Sequence, residues 1–284
     1  MKRYKPYTKS RRQMSTISYS QRITASEPEK SLTHGFRRPM GRNHHGHITT
    51  RHKGGGHKRL FREIDFTYDK INIPYTIKTI EYDPNRSGFI GLAQYHDGEK
   101  RYVLLPSSVR VGDVLITSET AEAKAGNRLP LRNITIGTFV YNVEIKPKGG
   151  AKLARSAGNF VEVIAKDAGY VDIKLPSTEI RKVQDTAWAS IGDVSNNENR
   201  LVNLGKAGRS RWLGIRPTVR GTAQNPVDHP YGGGEQRQGR GRRRAISVYG
   251  KPTGKGQKSR TPKKYSNKFI VSRRKVGKNR DAKM

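Results

Sequence analysis

No cysteine occurs anywhere in the chain, which excludes disulfides and thiolate metal sites and suits a reducing compartment. Acid is scarce: 23 Asp and Glu face 57 Lys and Arg, leaving a formal net charge of +34. A chain this basic repels itself unless a polyanion neutralises it. Hydrophobic residues make up 32% of the 284 positions, below the usual globular share, so a packed core cannot run the whole length. No stretch approaches the roughly 18 consecutive apolar residues that a transmembrane helix needs. The first residues lack the apolar run of a secretory signal. Rich in Arg and Ser and free of acid before Glu27, they also have the composition of an organellar transit peptide.

The missing acid is missing from the ends. Residues 1–62 hold 16 basic and 2 acidic side chains, residues 63–200 hold 18 of each, and residues 201–284 hold 23 against 3. A neutral middle therefore carries two cationic flanks. The flanks mix Gly with Arg, Lys and His, as in "GRNHHGHITTRHKGGGHKR" and "GGGEQRQGRGRRR". Such segments have too little apolar surface to offset the entropy of ordering, and they are expected to be disordered when free.

The middle reads as β. In "YVDIKLP", Val171, Ile173 and Leu175 alternate with Asp172 and Lys174, the period of a half-buried strand. Before it, "FVEVIAKDAG" ends in Asp167-Ala168-Gly169, a hairpin turn signal. "IPYTIKTIEYD" stops at the turn residues Pro84 to Gly88, and "GFIGLAQY", "KRYVLLP", "VGDVLIT" and "GTFVYNVEI" continue a series of short strands. Their close spacing predicts small barrels or sandwiches rather than βαβ units. "AEAKAGNRLPL" breaks the periodicity and places a boundary near Gly126. Each half is small for a core, so mutual packing or a bound partner is expected to help. "KLARSAG" (152–158) reads as a single helical turn, and no internal repeat is evident.

Nucleotide-binding enzymes are disfavoured by two further absences. The phosphate-loop pattern G-x-x-x-x-G-K-[ST] does not occur, and no strand–G-x-G-x-x-G–helix unit is present. Histidines 44, 45, 47, 52 and 57 cluster within fourteen residues; metal binding is one reading, but no thiolate joins them and the interleaved Arg and Lys oppose a cation. The alternative is stacking on bases or contact with phosphates. "NPVDHPYGGGEQR" sets Asp228 beside His229. Adjacent side chains of an extended loop point to opposite sides, so Asp228 is expected to be badly placed to orient the imidazole as a triad acid does. A lone histidine acting as general base stays open as the enzymatic alternative. Glycine next to Arg makes a thin cationic ribbon that can approach a crowded surface. Trp212, among Arg209, Arg211 and Arg216, reads equally as a base-stacking platform or as a small satellite core with Leu213 and Ile215.

No helix-turn-helix, zinc-finger or basic-zipper pattern is present. Two irregular cationic flanks on a β-rich centre suit folded RNA better than duplex DNA, leaving a DNA-coating basic protein as the alternative.

One long stretch carries a resemblance. "NLGKAGRSRWLGIRPTVRGTAQNPVDHPYGGGE" places Pro217, Arg220, Gly221, Thr222, Ala223, Asn225, Pro226 and Asp228 in the pattern Pro, two residues, Arg-Gly, two small residues, any residue, Asn-Pro, any residue, acid. "PEKSL", "ITTRHKGGGHKR", "PLRNI", "KGGAKLARSAGN" and "SNKFIVSRRK" follow the same family in order. The chain thus resembles, over nearly its whole length, the universal large-subunit ribosomal protein L-two family in its bacterial or organellar branch. Four positions depart from the family pattern: Tyr231 stands at a usual His, Gln236 at a Gly, Tyr249 at a Trp and His47 at an Arg.

The resemblance implies a mainly β fold of two small barrels with long basic, irregular extensions. Residues 1–62 would be the first extension, 63–125 an oligonucleotide-binding (OB) fold, 126–200 an SH3-like barrel and 201–284 the second extension. It implies a non-enzymatic, structural rRNA binder that supports subunit association, tRNA binding and the peptidyl-transferase region. Its partners would be large-subunit rRNA, neighbouring ribosomal proteins and the small subunit at a bridge, with no membrane and no small-molecule substrate. It implies no cofactor and no metal site; magnesium would enter only through the bound rRNA. The expected setting is a bacterial cytoplasmic ribosome or an organellar one.

The residues expected to touch RNA are Arg51, Lys53, Gly54, Gly55, Gly56, His57, Lys58 and Arg59 in the first flank. In the second they are Lys206, Arg209, Arg211, Trp212, Arg216, Arg220, Asn225, Asp228, His229, Gly232, Gly233, Gly234, Arg237, Arg240, Arg242, Arg243 and Arg244.

Overall fold

The computed structural model describes residues 1–38, 40–235, 244–254 and 260–274. The chain divides into two compact units. The larger comprises Met1–Arg37, Lys58–Ala207 and the described residues from Lys268 onward; the smaller comprises Arg38–His57 and Gly208–Asn267.

The larger unit is almost entirely antiparallel β. Two short pairs precede the main sheets: β1 (Lys2–Arg3) with β2 (Ser15–Thr16), and β3 (Thr33–Gly35) with β4 (Leu60–Arg62). A short helix, α1 (Lys9–Gln13), separates the first two strands, capped by the Thr8 hydroxyl, which accepts from the Arg11 N–H. The first curled sheet runs β7-β6-β5-β8, from β5 (Tyr75–Glu81), β6 (Ile90–Tyr95), β7 (Lys100–Leu104) and β8 (Val114–Leu115). Tyr75 and Ile77 point into its core with Ala93, Tyr95, Val103 and Leu115. A register shift between Ile77 and Thr79 in the β5–β6 pair adds the local bend that curls such a small sheet.

The second sheet has seven strands in the order β17-β15-β14-β13-β10-β16-β9. In chain order these are β9 (Arg128–Pro130), β10 (Phe139–Tyr141), β13 (Val161–Asp167), β14 (Tyr170–Lys174), β15 (Ile180–Gln184), β16 (Trp188–Ile191) and β17 (Ile270–Ser272). The expected alternation holds: Val171 and Ile173 are fully buried among Val161, Val163 and Val183, while Asp172 and Lys174 face outward. The hairpin turn also lies where the sequence placed it. Asp167 pairs with Tyr170 across Ala168 and Gly169, whose φ values of 45° and 77° give the two left-handed residues that a tight hairpin requires.

Two local expectations are corrected. "KLARSAG" is not a helical turn: its start belongs to β12 (Ala151–Leu153), paired with β11 (Val143–Glu144). Ala151 is buried against the first sheet's core, so tertiary pairing overrides the local helix preference. "NRLPL", read as aperiodic, contains β9; all three of its residues are buried, Arg128 included, so no alternation was there to see. The architecture is otherwise as expected, mainly β with small curled sheets, consistent with an OB fold followed by an SH3-like barrel.

The expected mutual packing of the two halves is present. Leu104 of the first sheet is buried against Tyr141 of the second and against Val194, just beyond β16, and the Tyr141 hydroxyl donates to the Leu104 carbonyl at 3.3 Å. Nearby, Arg128 is 1% exposed. Its guanidinium donates to Glu144 Oε1 at 2.9 Å and to the Asn142 carbonyl at 2.8 Å, and it lies 4.4 Å over the Tyr68 ring. Asn142 Nδ2 in turn donates to the Tyr68 hydroxyl at 2.8 Å. Burial pushes the Tyr68 phenol up to about 12. A buried charge is tolerated only when so fully paired.

Candidate nucleic-acid interface

The sequence suggests two separate flanks, but the structure joins parts of them into the smaller unit. Lys53 bridges Ile215 in antiparallel fashion. Around that bridge, the Gly54 N–H donates to the Gly214 carbonyl at 3.0 Å, the His57 N–H to the Trp212 carbonyl at 2.9 Å, and the Arg216 N–H to the His52 carbonyl at 3.0 Å. His52 Nδ1 lies 2.9 Å from the Pro217 carbonyl. Two ribbons some 160 residues apart in sequence therefore run side by side.

The glycines make this approach possible. A Cβ on Gly56 would meet Gly214 Cα and N at 2.8 Å and Arg38 Nη1 at 2.7 Å, distances that only a missing side chain allows. Gly214, at φ 84°, takes a left-handed conformation, and a Cβ there would meet Arg38 Nη2 at 2.7 Å. Arg38 threads beside both glycines and donates to the Leu213 carbonyl at 3.0 Å. Gly54 and Gly55 also have positive φ, 121° and 65°. These four residues therefore do more than give the ribbon flexibility; two of them set how closely the strands approach.

Charge in this unit is almost all of one sign. Its two segments hold 19 Lys and Arg against Asp228 and Glu235. Among the described residues, Arg38, Arg51, Lys53, Arg209, Arg211, Arg216 and Arg220 have no carboxylate partner. The Nη1 atoms of Arg38, Arg209 and Arg211 are buried with no hydrogen-bond partner among the described residues. A buried cationic donor without an acceptor is costly, and an anion supplied from outside would remove that cost. Arg209 and Arg211 lie in the last turn of α2 (Ala207–Trp212), where the helix dipole favours positive charge. Trp212, Leu213 and Ile215 are 57%, 44% and 43% exposed, so they do not form the buried satellite core that is one of the two readings.

The loop "GTAQNPVDHPYGGG" is a compact turn, not the extended loop assumed from its sequence. The Asn225 carbonyl accepts from the N–H groups of Asp228 and His229 at 3.0 and 3.2 Å, and the Gly233 N–H returns to the Gln224 carbonyl at 3.1 Å. The conclusion about Asp228 stands for a different reason: its carboxylate is exposed and makes no hydrogen bond to His229 among the described residues. Instead His229 Nδ1 accepts the Tyr231 N–H at 3.1 Å, so the neutral ring carries its hydrogen on Nε2. The imidazole lies on Gly221, where a Cβ would come within 2.6 Å of the ring. Tyr231, the departure from the family's second His, packs its ring 5.0 Å from His229, and its hydroxyl accepts from the Ile246 N–H. Gly232 passes so close to Asn225 that any Cβ would collide with its carbonyl, while Gly233 and Gly234 have φ 80° and 76°. The glycine triplet folds the loop back on itself.

Lys58, Arg59 and Lys206 lie in the larger unit, where Arg59 donates to the Pro84 carbonyl. Arg244 is exposed. Arg237, Arg240, Arg242 and Arg243, with the departure at Gln236, lie outside the described residues. His44 and His45 face each other with ring centroids 3.8 Å apart, and among the described residues no three His, Asp or Glu are grouped to hold a metal ion. No helix among them is long and apolar enough to cross a membrane.

Sequence reasoning missed one pair in the larger unit. Arg155 and Arg86 both lie over the Phe66 ring, at 4.1 and 5.5 Å from its centroid. Arg86 donates to Asp83, whereas Arg155 donates only to the Ala151 carbonyl, at 3.1 Å, and has no carboxylate partner among the described residues. Burial, and then the neighbouring Arg86 charge, hold the Arg155 guanidinium below its ordinary range. The two residues sit in "PNRSG" and "KLARSAG", read as a turn and a helical turn, and nothing local in either segment signals their convergence.

Two family models match the chain. Residues 29–117 match "Ribosomal Proteins L2, RNA binding N-terminal domain", and residues 124–259 match "Ribosomal Proteins L2, C-terminal domain". The first match covers the OB-like sheet; the second covers most of the SH3-like sheet and both loops built on glycine in the second flank. With fold, charge and family pattern in agreement, the chain belongs to the ribosomal protein L2 family, RNA-binding proteins of the large ribosomal subunit.

Proposed function

We propose that this chain is a primary rRNA-binding constituent of the large subunit, with barrels at 63–125 and 126–200 serving as a folded base for two RNA-penetrating extensions. The observation that carries this reading is the set of buried, unpartnered guanidinium donors on Arg38, Arg209 and Arg211 within a unit nearly devoid of acid. Phosphate oxygens supply the missing acceptors, and Arg is suited to them by its forked donors. Arg155 beside Arg86 gives the larger unit a comparable unbalanced cation. Each phosphate contact releases counterions, so log affinity should fall with log salt by about 0.7 to 0.9 per contact.

His229 serves structure in this reading. With Nδ1 occupied by the Tyr231 N–H and no hydrogen bond to Asp228 among the described residues, the neutral imidazole offers an Nε2–H donor to RNA. We extend the reading to the finer roles that the family resemblance suggests: subunit association through a bridge, support of tRNA binding and of the peptidyl-transferase region, and contacts with neighbouring ribosomal proteins in a bacterial or organellar ribosome. Competition at matched salt between folded large-subunit RNA and duplex DNA tests the core of the proposal. Preference for the folded RNA is expected; preference for the duplex would point to a DNA-coating protein and overturn it.

A further inference from the structure

The larger unit contains a cavity of about 130 Å³ between the N-terminal segment, the first barrel and the end of the second. Its floor is apolar: Ile17, Phe89, Leu105 and Val109 are each less than a tenth exposed. An apolar cavity of roughly 150 Å³ accepts benzene, so this space is the size of one six-membered ring. Tyr19 braces the floor from behind, its ring 6.2 Å from Phe89 and 5.3 Å from Tyr82, edge-on to both.

The polar lining divides into two sets. Ser195, Ser107, Asn196 and Glu198 are already engaged, with the Phe89 N–H, Asp193, the Ser87 carbonyl and the N-terminal ammonium respectively. The side chains of Ser18, Gln21, Arg22 and Asn197 have no hydrogen-bond or ion-pair partner among the described residues. Two of these are amides, each offering a donor and an acceptor at the mouth of an apolar slot. That pairing suits the hydrogen-bonding edge of a flat heterocycle.

The cavity opens into a wider basin of about 620 Å³, which shares Gln21, Arg22, Ile80, Ser107 and Val109 and adds Arg110. The Arg110 guanidinium, like that of Arg22, has no carboxylate partner among the described residues. An apolar slot for one ring, amides at its edge and two unneutralised cations just outside have the layout of a nucleotide site: base within, phosphate at the arginines.

We infer that this chain binds one unpaired pyrimidine nucleotide in the slot between Ile17, Phe89, Leu105, Gln21 and Asn197, with Arg22 and Arg110 on its phosphate. The inference rests on the RNA-binding reading and goes beyond it. It names a base-reading position among residues outside those expected from the sequence to touch RNA. A purine is too large to enter fully.

The test uses the full chain with nine-residue oligouridylate and oligoadenylate, which carry equal charge, in filter binding at several salt concentrations. Stacking of a single base is worth roughly 1–3 kcal/mol, so uridylate should bind at least about fivefold tighter. Gln21→Phe, at an exposed rim position, plugs the mouth and should abolish the preference while leaving oligoadenylate affinity unchanged. Asn197→Leu keeps the volume, removes one amide and should reduce the preference. The double variant Arg22→Gln/Arg110→Gln removes the contact with that one phosphate and should flatten the uridylate salt dependence by about 0.7. No preference in the wild type, or a preference that survives Gln21→Phe, overturns the inference and leaves RNA binding by the flanks standing. Failure of both oligomers to bind would instead sink the RNA-binding reading beneath it.

Discussion

Replacing Gly56 by alanine adds a single methyl group and no charge, at a residue without positive φ, and it strikes the crossing of the two flanking ribbons. The new Cβ would sit 2.8 Å from Gly214 backbone atoms and 2.7 Å from Arg38 Nη1. The arginine tip can swing aside, but the Gly214 backbone cannot move without separating the ribbons. Separation breaks the Gly54 to Gly214 and His57 to Trp212 backbone bonds, 3.0 and 2.9 Å long. Two such bonds contribute about 1–3 kcal/mol net, so the equilibrium constant for the paired arrangement should fall by roughly 5- to 150-fold. If RNA requires that arrangement and it is marginally stable before RNA binds, affinity falls by up to the same factor. Because no cation is lost, the plot of log affinity against log salt should shift down in parallel with unchanged slope. Filter binding of a folded large-subunit RNA fragment over a salt series reads both quantities. Gly208→Ala is the control, since a Cβ there meets nothing within 4 Å; it should bind as the wild type does. Wild-type affinity in Gly56→Ala, or a loss accompanied by a flatter slope, would refute the idea that ribbon register sets the RNA-competent form.

Arg128→Met strands the buried Glu144 carboxylate, whose side chain is 3% exposed, and should cost about 3–5 kcal/mol in urea unfolding, with much of it restored by adding Glu144→Leu. Arg155→Gln should flatten the salt dependence of RNA binding by about 0.7 to 0.9 without lowering the urea midpoint, because burial already disfavours that charge. Hydrogen bonds from Arg101 hold the Asp69 and Glu99 carboxyls below their ordinary range, and a hydrogen bond from Lys70 does the same for Asp97. Their contribution is therefore present above about pH 4, the unfolded carboxylate range, and is lost as pH falls through the lowered folded values. Arg101→Ala should narrow the gap between urea midpoints at pH 7 and pH 3, and a gap as wide as in the wild type would count against this network. His229→Ala should leave peptide-bond formation on assembled ribosomes above the roughly hundredfold loss that marks removal of a general acid–base group; a loss of thousands-fold with assembly intact would make the histidine catalytic.

Properties carried by each residue and its near neighbours were legible along the chain. Charge needs only counting, and it separated the neutral centre from the flanks. The period-2 pattern of Val171 and Ile173 survives because one face of β14 is buried and the other wet. The turn at Ala168 and Gly169 is fixed by backbone conformations that few residue pairs accept. The order of motifs was enough to indicate the family.

Tertiary structure decided what depends on distant groups meeting. β9 escaped notice because Arg128 is a buried cation whose partners, Glu144 and Asn142, come from elsewhere in the fold. "KLARSAG" became a strand end through pairing with β11, a choice its own propensity opposes. The glycines of "KGGGHK" and "WLGIRP" suggested flexibility singly, but their close fit appears only when two ribbons far apart in sequence are brought together. Arg86 with Arg155, and the slot under Gln21 and Asn197, are likewise convergences of separate segments. Sequence fixes which groups are available and what each prefers locally; chain closure and steric fit determine which of them share a space, and that sharing is where the binding chemistry arises.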